Sequence, residues 1–129
     1  MENLTIEATK STPSIVFDAQ SGVLEIRGKS YPENAAKFFA PVFEWVNSYL
    51  RSADPATVRL ILEIIYLNSS SSKALLNLLD LLDRSAKGGR EVVIDWLYHE
   101  EDETSLECGE EFKEDLESAV FNLVAIPEE

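Results

Sequence analysis

This 129-residue chain has few residues that could bind zinc through nitrogen or sulfur or form a disulfide. It has one cysteine, Cys108, and one histidine, His99. A single cysteine excludes an intrachain disulfide, and a zinc site needs more nitrogen and sulfur ligands than these two side chains supply. The sequence has no basic-then-apolar signal segment and no run of about 18 apolar residues that could span a membrane. It therefore predicts a cytoplasmic protein without metal or membrane insertion.

Positive charge is also scarce. The chain has 24 acidic and 11 basic residues, for a formal net charge of −13, and no local cluster of Lys and Arg. Nucleic acid and anionic lipid are polyanions, so this charge argues against both as partners. Residues 100–129 hold 12 of the acidic residues against the single Lys113. That segment fits either a solvated helix face or a docking surface for a basic partner.

What the chain does contain is enough apolar material for one core. With 45% hydrophobic residues, residues 1–129 are the size of a single compact domain that folds without disulfides or metal. Short strand patterns fill the first third: one over 4–8, then a hairpin over 14–28 with its turn at Gly22. Ser30 and Pro32 then resemble a helix start, and an apolar stripe predicts a helix to about Ser52, with a kink or late start at Pro41.

The rest of the chain alternates strands and helices. The apolar run Val58 to Leu67 predicts a strand buried on both faces, and a helix follows it to about Ala86 and ends at Gly88. Strands over 91–98 and 121–126 flank a weaker helical pattern over 102–119, in which Gly109 is unfavourable. The order β-β-β-α-β-α-β-α-β predicts an α/β protein: a mixed sheet with parallel crossovers and helices packed on it.

No set of residues forms a familiar catalytic site. His99 lies among acidic residues at a strand end, and Asp80 and Asp83 share a helix face without a partner base. Gly88 and Gly89 follow a helix, whereas a phosphate-binding glycine loop opens one. We therefore expect neither an enzyme nor a cofactor.

Four consecutive serines, Ser69 to Ser72, lie where the apolar strand meets the next helix. The first backbone N–H groups of a helix have no helical acceptor, so this corner suits an anion, including a phosphate attached to a serine. Serine is also a common helix N-cap, and on the residues alone a purely structural cap is the simpler explanation of the cluster. The residues by themselves leave both interpretations open.

The chain contains three distinctive strings: Ser30 to Asn34 (SYPEN), Tyr66 to Ala74 (YLNSSSSKA) and Gly88 to Val92 (GGREV). These strings resemble the SiaC family of bacterial regulatory phosphoproteins, and the element order is similar over essentially the whole chain. SiaC proteins are similar in fold to the STAS domains of anti-sigma-factor antagonists, which carry a phosphorylatable Ser or Thr at this same corner. The resemblance thus implies a single STAS-like domain.

The resemblance implies a phosphorylation switch without enzymatic activity of its own. A serine/threonine kinase would phosphorylate the protein, a PP2C-type phosphatase would reverse this, and the unmodified form would bind and activate a diguanylate cyclase in cyclic di-GMP signalling and biofilm regulation. The acceptor would be the hydroxyl after Asn68, which is Ser69, with Ser70 the next candidate. We expect partner contacts from Tyr31, Asn34, Tyr66, Asn68, Ser70, Ser71 and Lys73.

Two alternatives stay open. Antagonists of anti-sigma factors usually have Asp-Ser-x-Gly at the corner, whereas Asn68 and Ser71 replace the Asp and the Gly here, which favours the SiaC branch. A small apolar or lipid ligand could instead bind between sheet and helices, although a stripe of this spacing is what any packed helix shows. That site would use Phe38, Phe39, Phe43 and Trp45.

Overall fold

Six strands form one sheet in which each strand lies beside its neighbour in the sequence. The computed structural model describes residues 1–52 and 57–127, and within these residues three helices accompany the sheet. The predicted α/β class and element order are confirmed. The elements are β1 (Leu4–Ile6), β2 (Ser14–Asp18), β3 (Val23–Ser30), α1 (Ala35–Arg51), β4 (Val58–Leu67), α2 (Ser69–Lys87), β5 (Val92–His99), α3 (Glu103–Glu114) and β6 (Val120–Ile126).

The sheet changes from antiparallel to parallel at β3. The first three strands form an antiparallel meander, and the predicted hairpin turns at Gly22, whose φ of +76° costs a glycine little. Strands β3 to β6 run parallel, because a helix carries the chain back before each new strand begins. The carboxyl ends of these four strands therefore lie along one edge of the sheet, and each helix begins there.

One hydrophobic core lies between the sheet and the helices. Leu60 in the middle of β4 is fully buried and pairs in register with Leu24 of β3 and Ile94 of β5, which are buried as well. Aromatic rings join the layers: Phe17 and Trp45 of α1 have ring centroids 5.2 Å apart. Apolar burial of this kind is the main stabilising contribution to a domain of this size.

The opposite face of the sheet carries a network of charged side chains. Arg27 pairs with Glu63 at 2.5 Å and with Glu25 at 2.7 Å. The prediction that β4 is buried on both faces is wrong, since Arg59 and Ile65 are exposed. Each of the three strand–helix–strand crossovers moves one position in the same direction across the sheet. Because such crossovers are right-handed, all three helices lie on the same face.

Helix α1 begins later than the sequence pattern indicated. Ser30 remains in β3, paired with Leu67, and the helix starts at Ala35 with Asn34 as its N-cap, whose side chain accepts the N–H of Lys37 at 3.1 Å. The helix continues through Pro41. The proline is exposed, as is Lys37 four residues earlier, so water can satisfy the carbonyl that loses its helical donor.

Gly109 allows α3 to lie close to the sheet. A Cβ atom at this position would lie 2.6 Å from Cδ1 of Trp96 and 2.8 Å from Cδ2 of Leu123. Trp96 lies on β5 and is fully buried. Its ring contacts that of Phe112 in α3, with ring centroids 5.5 Å apart. A residue that is unfavourable for an isolated helix is thus required by the packing.

We expect Gly109→Ala to destabilise the protein. The gain in helix propensity is about 1 kcal/mol, but the added methyl group overpacks a rigid site at a cost of about 1–3 kcal/mol. Gly88→Ala is the control, because its nearest neighbouring atom lies at an ordinary 3.5 Å. Chemical denaturation measures both. A Gly109→Ala protein at least as stable as wild type would contradict the close packing.

Asp83 connects the end of α2 to the start of β6. Its carboxylate accepts the backbone N–H groups of Glu117 (3.2 Å), Ser118 (2.8 Å) and Ala119 (2.8 Å). Partial burial by itself would raise the pKa of Asp83, but these hydrogen bonds outweigh it and hold the pKa below its ordinary value of 3.8. The ionised carboxylate therefore stabilises the fold.

Removal of this carboxylate should have a pH-dependent effect. A lowered folded-state pKa contributes stability that is present above the unfolded pKa of about 4 and is lost as the pH falls through the folded value. We expect Asp83→Ala to lose about 1–3 kcal/mol of unfolding free energy at pH 7, with a difference from wild type that shrinks below pH 4. The exposed Asp80 of the same helix provides the control, Asp80→Ala. A loss that is independent of pH would exclude this role of the charge.

Candidate functional site

The corner between β4 and α2 is tied to the end of β3. The backbone N–H of Asn68 donates to the carbonyl of Ser30 at 3.0 Å. The Asn68 side chain caps α2 by accepting the N–H of Ser71 at 2.9 Å. The expectation that the serines themselves form the N-cap is therefore wrong: Asn68 is the cap, and the four serines make up the first turn. An amide serves this purpose as well as a hydroxyl.

The four serines differ in accessibility. Ser71 is fully buried, and its hydroxyl hydrogen-bonds that of Ser30 at 2.7 Å. Ser69 and Ser70 are exposed, whereas Ser72 is half-buried. The hydroxyls of Ser69 and Ser70 are therefore accessible from solvent, whereas the hydroxyl of Ser71 holds α2 against β3.

Electrostatics at the first turn of α2 favour an anion. Ser69 and Ser70 occupy the first two helical positions, where backbone N–H groups have no intrahelical acceptor and the positive end of the helix dipole lies. The first turn contains no acidic residue. A phosphate on Ser69 would therefore meet oriented donors and a favourable field.

Two tyrosines flank the corner on the sheet side. Tyr31, just after β3, and Tyr66, near the end of β4, make an edge-to-face contact with ring centroids 5.7 Å apart. Tyr66 is 54% exposed, and its neighbour Ile65 is 56% exposed. Exposed large apolar side chains next to each other are typical of a surface that another protein covers.

The helix side of the corner opens into a groove of about 520 Å³ between α1 and α2. Asn34, Ser70 and Lys73 all line it, so the structure brings these three predicted contact residues together. Of the aromatic residues considered for a small ligand, Phe39 and Phe43 line this groove. Trp45 instead packs in the core, stacked on Tyr49 with ring centroids 4.9 Å apart.

A second cleft, of about 190 Å³, lies between the end of β4 and α3. Trp96, Ser105 and Cys108 line it together with Tyr66. Burial, with a smaller contribution from Glu111, raises the pKa of the Cys108 thiol. No local sequence pattern indicates this cleft, because its walls come from three separate segments of the chain.

The described residues contain neither a cluster suited to a metal ion nor a helix suited to a membrane. Across residues 1–52 and 57–127, no cluster of three or more His, Cys, Asp or Glu side chains is arranged to hold a metal ion. Within the same ranges, no helix is both long enough and apolar enough to cross a membrane.

Comparison with known proteins identifies close relatives of the whole chain. A family model described as SiaC family regulatory phosphoprotein matches residues 6–126. An uncharacterized protein of Pseudomonas aeruginosa strain UCBPP-PA14 is 43% identical over 115 residues, which are 89% of this chain and 90% of that protein.

Solved structures agree with this family match. The structure of SiaC of Pseudomonas aeruginosa superposes with a TM-score of 0.90 at 40% identity and covers 98% of this chain and 100% of that one. A crystal structure of the diguanylate cyclase SiaD in complex with its activator SiaC, from the same species, gives a TM-score of 0.90 at 41% identity. It covers 95% of this chain and 99% of the matched chain.

The buried pair of hydroxyls leads to a stability prediction. Ser71→Ala leaves the Ser30 hydroxyl buried without its partner, so we expect a loss of about 1–3 kcal/mol in unfolding free energy. Ser69→Ala, at an exposed position, should change it by less than about 0.5 kcal/mol. A double-mutant cycle with Ser30→Ala should give a coupling near 1 kcal/mol. Additive effects would mean that the two hydroxyls do not interact.

Proposed function

This chain belongs to the SiaC family of regulatory phosphoproteins, and we propose that its unphosphorylated form binds and activates a diguanylate cyclase while phosphorylation of Ser69 prevents binding. A serine/threonine kinase would add the phosphate and a PP2C-type phosphatase would remove it, both in the cytoplasm. As a member of a regulatory family, the chain is not itself an enzyme.

The observation that carries the proposal is the likeness to a SiaC that is an activator of a diguanylate cyclase. At 41% identity and a TM-score of 0.90 over 95% of the chain, the two proteins share a fold in detail. The surface around Ser69 supports the same conclusion, because exposed Tyr66 and Ile65 adjoin an accessible hydroxyl. Apolar side chains of this kind commonly anchor protein interfaces.

A phosphate on Ser69 acts differently on the fold and on the interface. At neutral pH it adds about −1.5 to −2 charges, and near the helix N-terminus these stabilise the helix by about 0.3–1 kcal/mol. Burial of the same dianion under a partner without a matched cation costs several kcal/mol. Each 1.4 kcal/mol is a factor of ten in affinity, so the modified protein keeps its fold and loses its partner.

Ser69 is preferred over Ser70 as the acceptor. The Ser70 side chain lines the groove between α1 and α2, together with Lys73, whereas Ser69 is exposed and is not part of that groove. The resemblance to the family supports the same choice, because it implies an acceptor at the hydroxyl directly after Asn68.

Substitution at Ser69 should separate binding from release. We expect Ser69→Ala to bind and activate the cyclase of the source organism like wild type and to resist phosphorylation. Ser69→Asp, which places a charge at the same position, should weaken binding at least tenfold. Pull-down, cyclic di-GMP synthesis and phosphosite mapping measure the three effects.

Ser70→Ala and Ser70→Asp are the matched controls one residue further along. Kinase labelling that persists in Ser69→Ala and disappears in Ser70→Ala would move the acceptor to Ser70. Failure of the unmodified protein to bind any cyclase would reject the proposed function. Capture of an anti-sigma factor in its place would favour the antagonist alternative.

A further inference from the structure

The sheet opens beside the proposed phosphorylation site. Strand β4 pairs with β5 from Val58 to Leu62 only. Beyond that point β4 continues to Leu67 beside β3, while β5 continues to His99 beside β6. The two strands therefore part at their carboxyl ends, and the cleft of about 190 Å³ lies in this opening, closed on one side by α3.

The size and the lining of the cleft suit a single apolar side chain. A cavity of about 150 Å³ lined by apolar residues accommodates a benzene ring, whereas most small-molecule sites are larger, at about 300–1,000 Å³. Trp96 and Leu67 line this cleft, and Ile65 and Tyr66 contribute the large exposed apolar side chains at its edge. Burial of that exposed area against a partner is favourable.

One polar group in the cleft lacks a partner. Ser105, in the first turn of α3, is 9% exposed and lines the cleft. Its hydroxyl oxygen is buried and has no hydrogen-bond partner among the described residues. Such a group is costly unless something bonds to it.

The charge around the cleft specifies the occupant further. Asp102 lines the cleft, and Glu100, Glu101 and Glu103 neighbour it along the chain. The whole chain carries a formal charge of −13, which disfavours a second copy as the occupant. Complementary charge on a partner speeds association and selects the correct orientation.

We propose that this cleft is the anchor point for the cyclase: it receives one Leu, Ile, Met or Phe side chain from a cyclase segment whose Lys or Arg lies over the acidic residues around Asp102, on the α3 side of the cleft, so that no cation faces Ser69. The inference rests on the proposed function and extends it. Tyr66 and Leu67 line the cleft, and Ser69 follows them after a single residue. A partner anchored in the cleft therefore covers Ser69, and this explains how one phosphate controls the whole interface.

Substitutions that fill the cleft, or that remove apolar area at its edge, test whether the cleft anchors the cyclase. Cys108→Leu adds apolar volume inside the cleft and should weaken cyclase binding at least tenfold, whereas Ala40→Leu, which adds the same side chain at an exposed position of α1 outside the cleft, should bind within twofold of wild type. Ile65→Ser removes exposed apolar area at the edge and should also weaken binding at least tenfold. Its matched control is Val16→Ser on β2, where another exposed apolar side chain lies far from the cleft in the sheet order.

The single thiol gives a second, independent readout. Alkylation of Cys108 by a maleimide, followed by mass spectrometry, should slow at least fivefold when the cyclase is bound to wild-type protein. This measurement needs no substitution, so it decides the question even if Cys108→Leu fails to fold. Cyclase affinity should also fall as salt concentration rises, because the attraction between the cyclase cation and the acidic residues is screened.

Several outcomes would overturn the anchor. If Ile65→Ser binds normally and the thiol stays reactive in the complex, while Ser69→Asp still releases the cyclase, the anchor is wrong and the switch stands. If no variant affects binding, or no cyclase binds, the proposed function itself fails. Protection of Cys108 in concentrated protein alone would assign the cleft to a second copy. A co-purifying mass in native spectra that Cys108→Leu removes would assign it to a small ligand.

Discussion

The parallel pairing of β3 with β4 is the constraint on which the corner depends. It places Ser30 beside Leu67, and from there the Ser30 carbonyl receives the N–H of Asn68 while the Ser30 hydroxyl bonds that of Ser71. These two contacts set where β4 stops and how α2 leaves the sheet. The exposed serines of the first turn therefore project from a rigid base, which is what a modification site read by a partner requires.

The crossovers bring the serine corner, the groove and the cleft to a single edge of the sheet. Because β3 to β6 are parallel and all helices lie on one face, the carboxyl ends of these strands and the starts of the helices meet there. The groove beside Lys73, the exposed Tyr66 and the cleft beside Ser105 are all at this edge. Parallel α/β sheets commonly bind their ligands at the carboxyl ends of the strands. Here the same edge suits recognition of a protein.

Local sequence patterns predicted the strands and helices well, but not how far each is buried or which residues it contacts. Apolar runs and turn residues are short-range signals, so the strands and the order of elements followed from them. The burial of β4 did not follow from these signals, because it depends on which face of the sheet the crossover helices cover. The late start of α1 had the same kind of cause, since Ser30 pairs with Leu67, which is distant in the chain. Gly109 was unfavourable as a helical residue, and only its contact with Trp96 explains its presence.

The sequence by itself determined the fold class, the single serine-rich corner and, through resemblance, the family and its candidate Ser69. Those conclusions rest on neighbouring residues and on matching strings. Tertiary structure decided which serines are accessible, since a hydroxyl partner 41 residues away buries Ser71. The cleft beside the corner also depends on the tertiary structure. It forms where β4 and β5, which are paired only from Val58 to Leu62, separate toward their carboxyl ends. Contacts between distant segments leave no local pattern in the sequence, so only the folded structure contains them.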